Sequence, residues 1–219
     1  MRCSVITHPE VLIDPTARIE DWALSPAGRA RAARVPNVQS GFTRVVSSSE
    51  GKALDTAGIV ARAWGVDVSV DGDLGELDRS ATGYLEPREF QSTVDAFFDR
   101  PHESVRGWER AIDAQRRIES AVRRQTDLAG DETIAFIAHG GVGGLLLASL
   151  KRDADQSRPR PTRHGELFHV RRPHVASSLV VASDRRFSMR GTAAASHGAG
   201  GQHDAAHEPG GFRASDWWS

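Results

Sequence analysis

The stretch Thr133-Ile134-Ala135-Phe136-Ile137-Ala138-His139-Gly140-Gly141 decides the fold. It opens as a nearly continuous apolar run, which is typical of a strand buried on both faces of a parallel sheet. His139 and the glycines follow directly, and an apolar segment of helical length then runs to Leu150. A strand that passes through a polar turn into a helix is the unit from which α/β folds are built.

Earlier parts of the chain repeat this unit. Residues 3–8 form an apolar run that ends in His8, and residues 42–47 form a second run that ends in Ser47. A helical pattern follows over residues 53–64, and residues 66–70 alternate like a third strand. The carboxyl ends of parallel strands meet at one edge of a sheet, where ligands bind. His8, Ser47 and His139 are therefore expected at that edge.

The pattern as a whole predicts a three-layer α/β/α sandwich with a mostly parallel central sheet. Ser25 is a good N-cap for a helix that starts at Pro26, and further helices are predicted over residues 87–99 and 103–128. We expect the α/β domain to occupy residues 1–152. Residues 153–190 form an atypical segment with one strand at residues 177–182. Residues 191–219 are low in complexity and predict a disordered tail. A changed reading frame near residue 153 is an alternative explanation for the shift in composition.

Composition excludes several classes of protein. The 219 residues carry 28 basic and 29 acidic side chains, a net charge of −1, which argues against a dedicated nucleic-acid binder. No apolar run approaches the ~20 residues that span a bilayer, and no secretion signal is expected. The single cysteine, Cys3, excludes an intramolecular disulfide framework and fits a reducing cytoplasm.

Five short motifs between residues 3 and 150 occur in a recognisable order. They are Thr7-His8-Pro9-Glu10, Leu24-Ser25-Pro26-Ala27-Gly28-Arg29-Ala30, Ser47-Ser48-Ser49 with Lys52-Ala53-Leu54-Asp55-Thr56-Ala57, Leu74-Gly75-Glu76, and His139-Gly140-Gly141-Val142. Each motif alone is weak, but the five in this order are fairly specific. On these motifs the chain resembles the histidine phosphatase superfamily, which has the phosphoglycerate mutase-like fold.

The resemblance implies roles for three side chains and for the backbone at one glycine. His8 would be the nucleophile that becomes a phosphohistidine, since a neutral imidazole can attack phosphorus near pH 7. His139 would donate a hydrogen bond to the phosphoryl group, and the backbone at Gly140 would approach the same anion at a helix N-terminus. Glu76 would protonate the leaving oxygen, which requires a raised pKa. Asp78 and Glu86 are the alternative acids in that part of the chain.

This chain departs from the family pattern at the phosphate-binding positions. Thr7 and Pro9 replace the arginine and glycine that flank the nucleophile, and Lys52 replaces a second arginine. Each lost charge-assisted hydrogen bond is worth about 1.5–3 kcal/mol, so losing two lowers the rate on the order of a hundredfold. We therefore expect a phosphatase of low activity. Arg79, three residues after Glu76, is the candidate that would restore a positive charge to the pocket.

The resemblance implies no metal or organic cofactor and a small phosphorylated substrate. It implies no nucleic-acid or membrane partner, while a homodimer stays open. Hydrolysis is favoured over mutase activity. Two alternatives remain: a non-catalytic relative that binds a phosphorylated ligand or a protein, and a metal-dependent hydrolase with His8 and His139 as ligands. Gly140 to Gly144 lacks the spacing of a dinucleotide-binding turn. Arg163-His164-Gly165-Glu166 imitates the first family motif by chance, because the prolines before it cannot form a central strand.

Overall fold

The computed structural model describes residues 2–156, 171–172 and 175–180. These residues form one six-stranded sheet. Its strands are β1 (Arg2–Thr7), β2 (Arg44–Ser47), β3 (Val68–Val70), β4 (Thr133–Ala138), β5 (Arg171–Arg172) and β6 (Val175–Val180). They lie in the order β3-β2-β4-β1-β6-β5, and every neighbouring pair is parallel except β5 with β6. The predicted mostly parallel sheet is confirmed.

The register of the sheet brings the strand ends together. Thr7 is opposite Ala138, and Ser47 is opposite Ile137. The backbone N–H of His8 continues the ladder and donates to the carbonyl of Ala138 at 3.2 Å. His8 and His139 therefore emerge from adjacent strands at the same height, and the turn after Ser47 emerges beside them.

Helices cover both faces of the sheet. They are α1 (Pro26–Ala32), α2 (Val35–Val38), α3 (Gly51–Trp64), α4 (Pro87–Asp99), α5 (Ala111–Asp127) and α6 (Gly140–Gln156). One core joins α4, α5 and α6 to the side chains of one sheet face, including Val5 and Phe136. A second core joins α2 and α3 to the opposite face through Ile6 and Ile137. Alternate strand residues thus point into different cores, which is the three-layer α/β/α arrangement that the sequence predicted.

Most predicted elements match the observed ones, and one differs. The strand at residues 133–138 and the helix at residues 87–99 have the predicted bounds, and Ser25 Oγ accepts from Gly28 N at 2.9 Å as an N-cap should. The helix predicted over residues 103–128 is wrong at its start, because α5 begins only at Ala111. Arg106 and Gly107 have φ values of 56° and 82°, which interrupt any helix. At Gly107 a Cβ would lie 2.8 Å from the Cβ of Ala81, so the close approach of these two loops sets the break.

The C-terminal third lies largely outside the described residues. Strand β6 overlaps the strand predicted at residues 177–182 and pairs in parallel with β1. The domain boundaries stay predictions, and both the 191–219 tail and the Arg163–Glu166 motif lie outside the described residues. In the part that is described, none of the helices is both long enough and apolar enough to cross a bilayer.

Candidate active site

His8 stands at the carboxyl end of β1, and its protonation state is set by the backbone. Its Nδ1 lies 2.8 Å from the carbonyl oxygen of Pro9. A carbonyl only accepts, so Nδ1 carries the proton and the lone pair of a neutral ring is at Nε2. Burial lowers the pKa of His8 to about 4, and the nearby charges of Lys52 and Arg79 act in the same direction. At neutral pH the ring is therefore uncharged, with a nucleophilic Nε2.

The loop after His8 is held by the start of α1. Glu10 accepts two hydrogen bonds from Ser25: its backbone carbonyl accepts from Ser25 N at 3.0 Å, and Oε1 accepts from Ser25 Oγ at 2.6 Å. Gly28 packs directly against this loop, since a Cβ there would lie 2.0 Å from the carbonyl oxygen of Glu10. The motif at residues 24–30 thus fixes the backbone of the motif at residues 7–10, which carries His8.

His139 follows β4, and its side chain has no exposed surface. Its ring lies edge-on to that of His8, with 5.1 Å between centroids. Nε2 lies 2.8 Å from Ser48 Oγ, while Nδ1 is buried and has no hydrogen-bond partner among the described residues. Burial lowers the pKa of His139 well below its usual 6.5, and the neighbouring His8 adds to the shift. The sequence-predicted pair of histidines is therefore brought together, and both rings are neutral at pH 7.

Glu50 is a residue of this site that the sequence analysis missed. It is only 8% exposed. Its Oε2 lies 2.5 Å from Lys52 Nζ, and its Oε1 accepts from the backbone N–H of Glu76 at 2.6 Å and lies 3.4 Å from His139 Nε2. One carboxylate thus joins three of the predicted site residues. Its position at the N-cap of α3, two residues before Lys52, is the only signal that could have indicated it.

Lys52 is buried, and its ammonium group binds other groups of the protein. Nζ donates to Glu50 Oε2 and, at 2.8 Å, to the carbonyl oxygen of Ile19. An ammonium has three N–H donors, and these bonds use two of them. The positive charge that the sequence analysis assigned to phosphate is therefore already balanced by Glu50 before any ligand binds.

Glu76 lies across the N-terminus of α6. Its Oε2 accepts from Gly141 N at 3.0 Å, and its Oε1 accepts from Val142 N and Leu77 N, both at 3.0 Å. Burial raises the pKa of this carboxyl above its usual range, and the nearby Glu50 adds to the rise, while the backbone N–H groups act in the opposite direction. A carboxyl with a raised pKa at this point can hold a proton, which a general acid requires.

Arg117 fixes the loop that carries Glu76, and no local pattern in the sequence marked it. Its guanidinium donates to the carbonyl oxygens of Asp73, Gly75 and Glu76 at 2.9 to 3.1 Å. It also pairs with both carboxylate oxygens of Glu109, at 2.8 and 3.0 Å. A planar guanidinium suits such multiple acceptors, so α5 positions the Glu76 loop.

Arg79 lies where its charge acts on both histidines and on Glu76. Its guanidinium carbon is 5.0 Å from the centre of the Phe90 ring, a cation–π distance. Burial lowers the pKa of Arg79 below its usual value, and the nearby carboxylates oppose that shift, Glu76 first and then Glu50 and Glu20. Arginine keeps its charge in proteins. The guanidinium of Arg79 therefore lies near the two histidines and Glu76, while its contact with a phosphoryl group stays a prediction.

The remaining predicted residues occupy different surroundings. Thr7 is buried, and its Cγ2 faces Gly143 of α6. Gly140 begins α6, and a Cβ there would meet nothing within 4 Å.

The alternative acid Asp78 accepts from Ser80 N at 2.9 Å, and that hydrogen bond lowers its pKa. Glu86 is exposed at the N-cap of α4. The surroundings thus raise the pKa of the Glu76 carboxyl and lower that of Asp78.

A cavity of about 490 Å³ adjoins this site on the side of Glu76 and Arg79. Its lining also includes Glu50 and Trp108, whereas His8 and His139 are not part of it. Within the described residues no group of three or more histidine, cysteine, aspartate or glutamate side chains is arranged to hold a metal ion. Glu76 and Arg79 therefore belong both to the surroundings of the two histidines, His8 and His139, and to the wall of the cavity.

Two kinds of similarity to known proteins concern sequence. The family described as the histidine phosphatase superfamily (branch 1) matches residues 14–181, a range that begins after the His8 motif. A probable phosphoglycerate mutase of Salmonella arizonae is 26% identical over 151 residues. That alignment covers 62% of this chain, and the chain spans 62% of the length of that relative.

Solved structures share the fold. YhfR of Bacillus stearothermophilus is 26% identical with a TM-score of 0.59, over 71% of this chain and 83% of that protein. A mycobacterial glucosyl-3-phosphoglycerate phosphatase, solved with inorganic phosphate, is 23% identical with a TM-score of 0.55, over 67% and 77%. The second likeness concerns the fold alone. The family match extends over well more than half of the chain. With the parallel sheet and the paired histidines at its edge, it identifies the chain as a member of the histidine phosphatase superfamily.

Proposed function

We propose that this protein hydrolyses a small phosphate monoester through a phosphohistidine at His8. The observation that carries the proposal is the neutral His8 ring, with Nδ1 hydrogen-bonded to the Pro9 carbonyl and Nε2 left with a lone pair. The phosphatase and phosphoglycerate mutase names among the relatives support the same class of chemistry. Hydrolysis needs only water as the second acceptor, and we prefer it to mutase activity.

The reaction has two steps. In the first, the lone pair of His8 Nε2 attacks phosphorus, the bond from phosphorus to the ester oxygen breaks, and Glu76 gives its proton to that oxygen. The resulting phosphohistidine retains the Nδ1–H bond to the Pro9 carbonyl, which stabilises the cationic ring. In the second, water attacks phosphorus, its proton goes to Glu76, and the N–P bond breaks to release phosphate and neutral His8. Protons and electron pairs balance, and Glu76 ends as it began.

We assign the phosphoryl oxygens to donors around His8. The Nδ1 of His139 is one, because a buried polar atom without a partner is destabilising and a phosphoryl oxygen would satisfy it. The proposed set of donors is completed by four other groups, namely the remaining N–H of Lys52, the guanidinium of Arg79, the hydroxyl of Thr7 and the backbone at Gly140. Because Glu50 already balances Lys52, Arg79 supplies most of the effective positive charge. The proposal therefore includes a low rate of turnover.

Trapping the covalent intermediate tests the nucleophile. The protein is mixed with a ³²P-labelled phosphate monoester and quenched in alkaline denaturant, because the N–P bond is labile in acid. Label should appear on the wild type and on the control variant His102→Ala, and it should be absent from His8→Ala. Label that survives His8→Ala would contradict the mechanism. Added EDTA should leave the label unchanged, whereas loss of activity with the chelator would favour the metal-dependent alternative.

The proposed role of Arg79 is tested by the kcat/KM for a phosphate ester. Replacing it with alanine removes the charge-assisted hydrogen bonds assigned to the phosphoryl group, so kcat/KM for p-nitrophenyl phosphate should fall about 10- to 100-fold. The control variant Arg123→Ala lies on the exposed side of α5 and should behave as wild type. An unchanged kcat/KM in Arg79→Ala would remove Arg79 from the proposed site.

A second candidate function is binding without catalysis. The observation that favours it is the Glu50–Lys52 pair, which leaves the site with less positive charge than phosphoryl transfer uses. Measurable binding of inorganic phosphate by calorimetry, without ³²P label and without hydrolysis of any ester, would support this second function over the first.

A further inference from the structure

We propose that the substrate's alcohol portion carries no negative charge, so that the protein prefers hydroxylated or ammonium-bearing phosphate esters to carboxylated ones. This inference rests on the proposed function and specifies the substrate class of the same site. Glu76 would protonate the leaving oxygen, so the leaving group must extend to the side of Glu76. The 490 Å³ cavity lies on that side, with Glu76 and Arg79 in its wall.

The charges of the cavity wall are unequal. Its lining contains five carboxylic side chains and two guanidinium groups, namely Glu20, Glu50, Glu76, Asp78 and Glu109 with Arg79 and Arg117. A second anionic group on the substrate needs a cation to offset its desolvation. Among the described residues, only the guanidinium groups of Arg79 and Arg117 in this wall could supply that cation.

Arg117 is committed to the protein itself. It makes a two-bond ion pair with Glu109 and donates to three backbone carbonyls of the loop that carries Glu76. Turning this group toward a ligand would break those bonds and release the loop. Arg117 and Glu109 thus contribute no net charge to the cavity, and Lys52 cancels Glu50 in the same way.

Arg79 is surrounded by carboxylates. Glu76, Glu50 and Glu20 all act on its charge, and the proposed mechanism directs it to the phosphoryl group. A second anion in the cavity would compete with phosphate for this guanidinium. The structure of the wall therefore provides for one anionic group, the phosphoryl, and for no other.

Asp78 and Glu20 are the remaining carboxylates of the cavity wall, and the charges of Arg117 and Arg79 that act on them are already engaged by Glu109 and by the proposed phosphoryl contact. Asp78 stays ionised because the hydrogen bond from Ser80 N lowers its pKa. The side chain of Glu20 is 39% exposed; it lies 3.6 Å from the largely exposed Arg18, a weak pair in water, and it also acts on the charge of Arg79. Both repel a carboxylate and attract an ammonium group. The cavity is thus selective by charge.

Three esters of similar size test the inference: glycerol 3-phosphate, O-phosphoethanolamine and 3-phosphoglycerate. Each of the first two should have a kcat/KM at least about tenfold above that of 3-phosphoglycerate at low salt, because two like charges act on the carboxylate across the cavity. The ratio should shrink as salt is added, since screening weakens the repulsion. An equal or higher kcat/KM for 3-phosphoglycerate would overturn the inference.

Charge-neutral variants link the preference to the cavity. The double variant Glu20→Gln with Asp78→Asn should bring the three kcat/KM values closer together, mainly by improving 3-phosphoglycerate. The control Glu132→Gln, at the amino end of β4 where Glu132 pairs with Arg44, should keep the wild-type ratios. Unchanged ratios in the double variant would contradict the assignment to these two carboxylates. The parent proposal fails differently: absence of hydrolysis and of His8-dependent label with all three esters would overturn it.

Discussion

Glu50 and Glu76 lie at the N-termini of α3 and α6, on the same edge of the sheet, and their surroundings differ. Glu50 is held against the ammonium of Lys52, whereas Glu76 accepts hydrogen bonds from three uncharged backbone N–H groups. Burial and the neighbouring Glu50 raise the pKa of Glu76. Two neighbouring carboxyls are thus suited to different tasks: Glu50 fixes charge and geometry, and Glu76 has the raised pKa that the proposed proton exchange requires.

The largest expected effect comes from removing the proton of Glu76. In Glu76→Gln the kcat/KM for an alkyl ester such as glycerol 3-phosphate should fall about 10²- to 10⁴-fold, because general acid catalysis of the first step is lost. For p-nitrophenyl phosphate, whose leaving group needs no proton, the loss should be much smaller.

Steady-state kinetics on both esters measure this difference. Equal losses for the two esters would mean that Glu76 acts on structure and not on the leaving oxygen. An unchanged kcat/KM for the alkyl ester would mean that Glu76 is not the general acid, so that the proposed difference in task between Glu50 and Glu76 would not exist.

Next in size is the loss of the cation beside Glu50. Lys52→Met leaves a buried carboxylate uncompensated, which should destabilise the protein by about 3–5 kcal/mol. Urea unfolding at pH 7 measures the free energy of unfolding. The double variant Lys52→Met with Glu50→Gln removes both charges and should recover most of the loss. If the single variant were as stable as the double one, Lys52 and Glu50 would not be energetically coupled.

A smaller effect concerns pH and the neutral His8 ring. The pKa of His8 is about 4 in the folded protein against 6.5 for the usual imidazole, so between these two pH values mainly the unfolded chain takes up this proton. The free energy of unfolding should therefore fall as the pH decreases, by about 2 kcal/mol between pH 7 and pH 5 for this ring.

His8→Asn isolates that contribution, since asparagine can still donate to the Pro9 carbonyl but does not titrate. Urea unfolding of both proteins at pH 7 and pH 5 gives the difference, which is the contribution of His8 together with its coupling to His139. Identical pH dependence in the two proteins would contradict the lowered pKa.

The smallest effect strengthens α3 without altering either carboxylate. Gly58 is exposed in the middle of this helix, and a Cβ there would meet nothing within 4 Å. Gly58→Ala should add about 0.5–1 kcal/mol to the free energy of unfolding and leave the pH profile of kcat/KM unchanged. A changed profile would show that the proton exchange of Glu76 depends on the stability of α3, and not only on local contacts.

The sequence predicted those parts of the site that follow directly from a strand. His8 and His139 could be placed at one edge because each ends an apolar run, and the parallel register of β1 and β4 aligns the ends of the two strands. Glu50 and Arg117 could not be found in this way. Glu50 reaches Glu76 across 26 positions and His139 across 89, while Arg117 reaches back to Asp73 across 44. Such contacts depend on tertiary packing, and no local periodicity encodes them.

The contact between Gly28 and the Glu10 carbonyl has a consequence for mutational tolerance. A Cβ at 2.0 Å from a backbone oxygen cannot be relieved by a side-chain rotation, so every residue other than glycine displaces either α1 or the loop after His8. A saturation scan scored by activity would mark position 28 as intolerant, as strongly as a residue that contacts substrate. Scored by abundance as well, the same scan would separate this steric requirement from chemistry, because His8 variants lose activity while remaining folded.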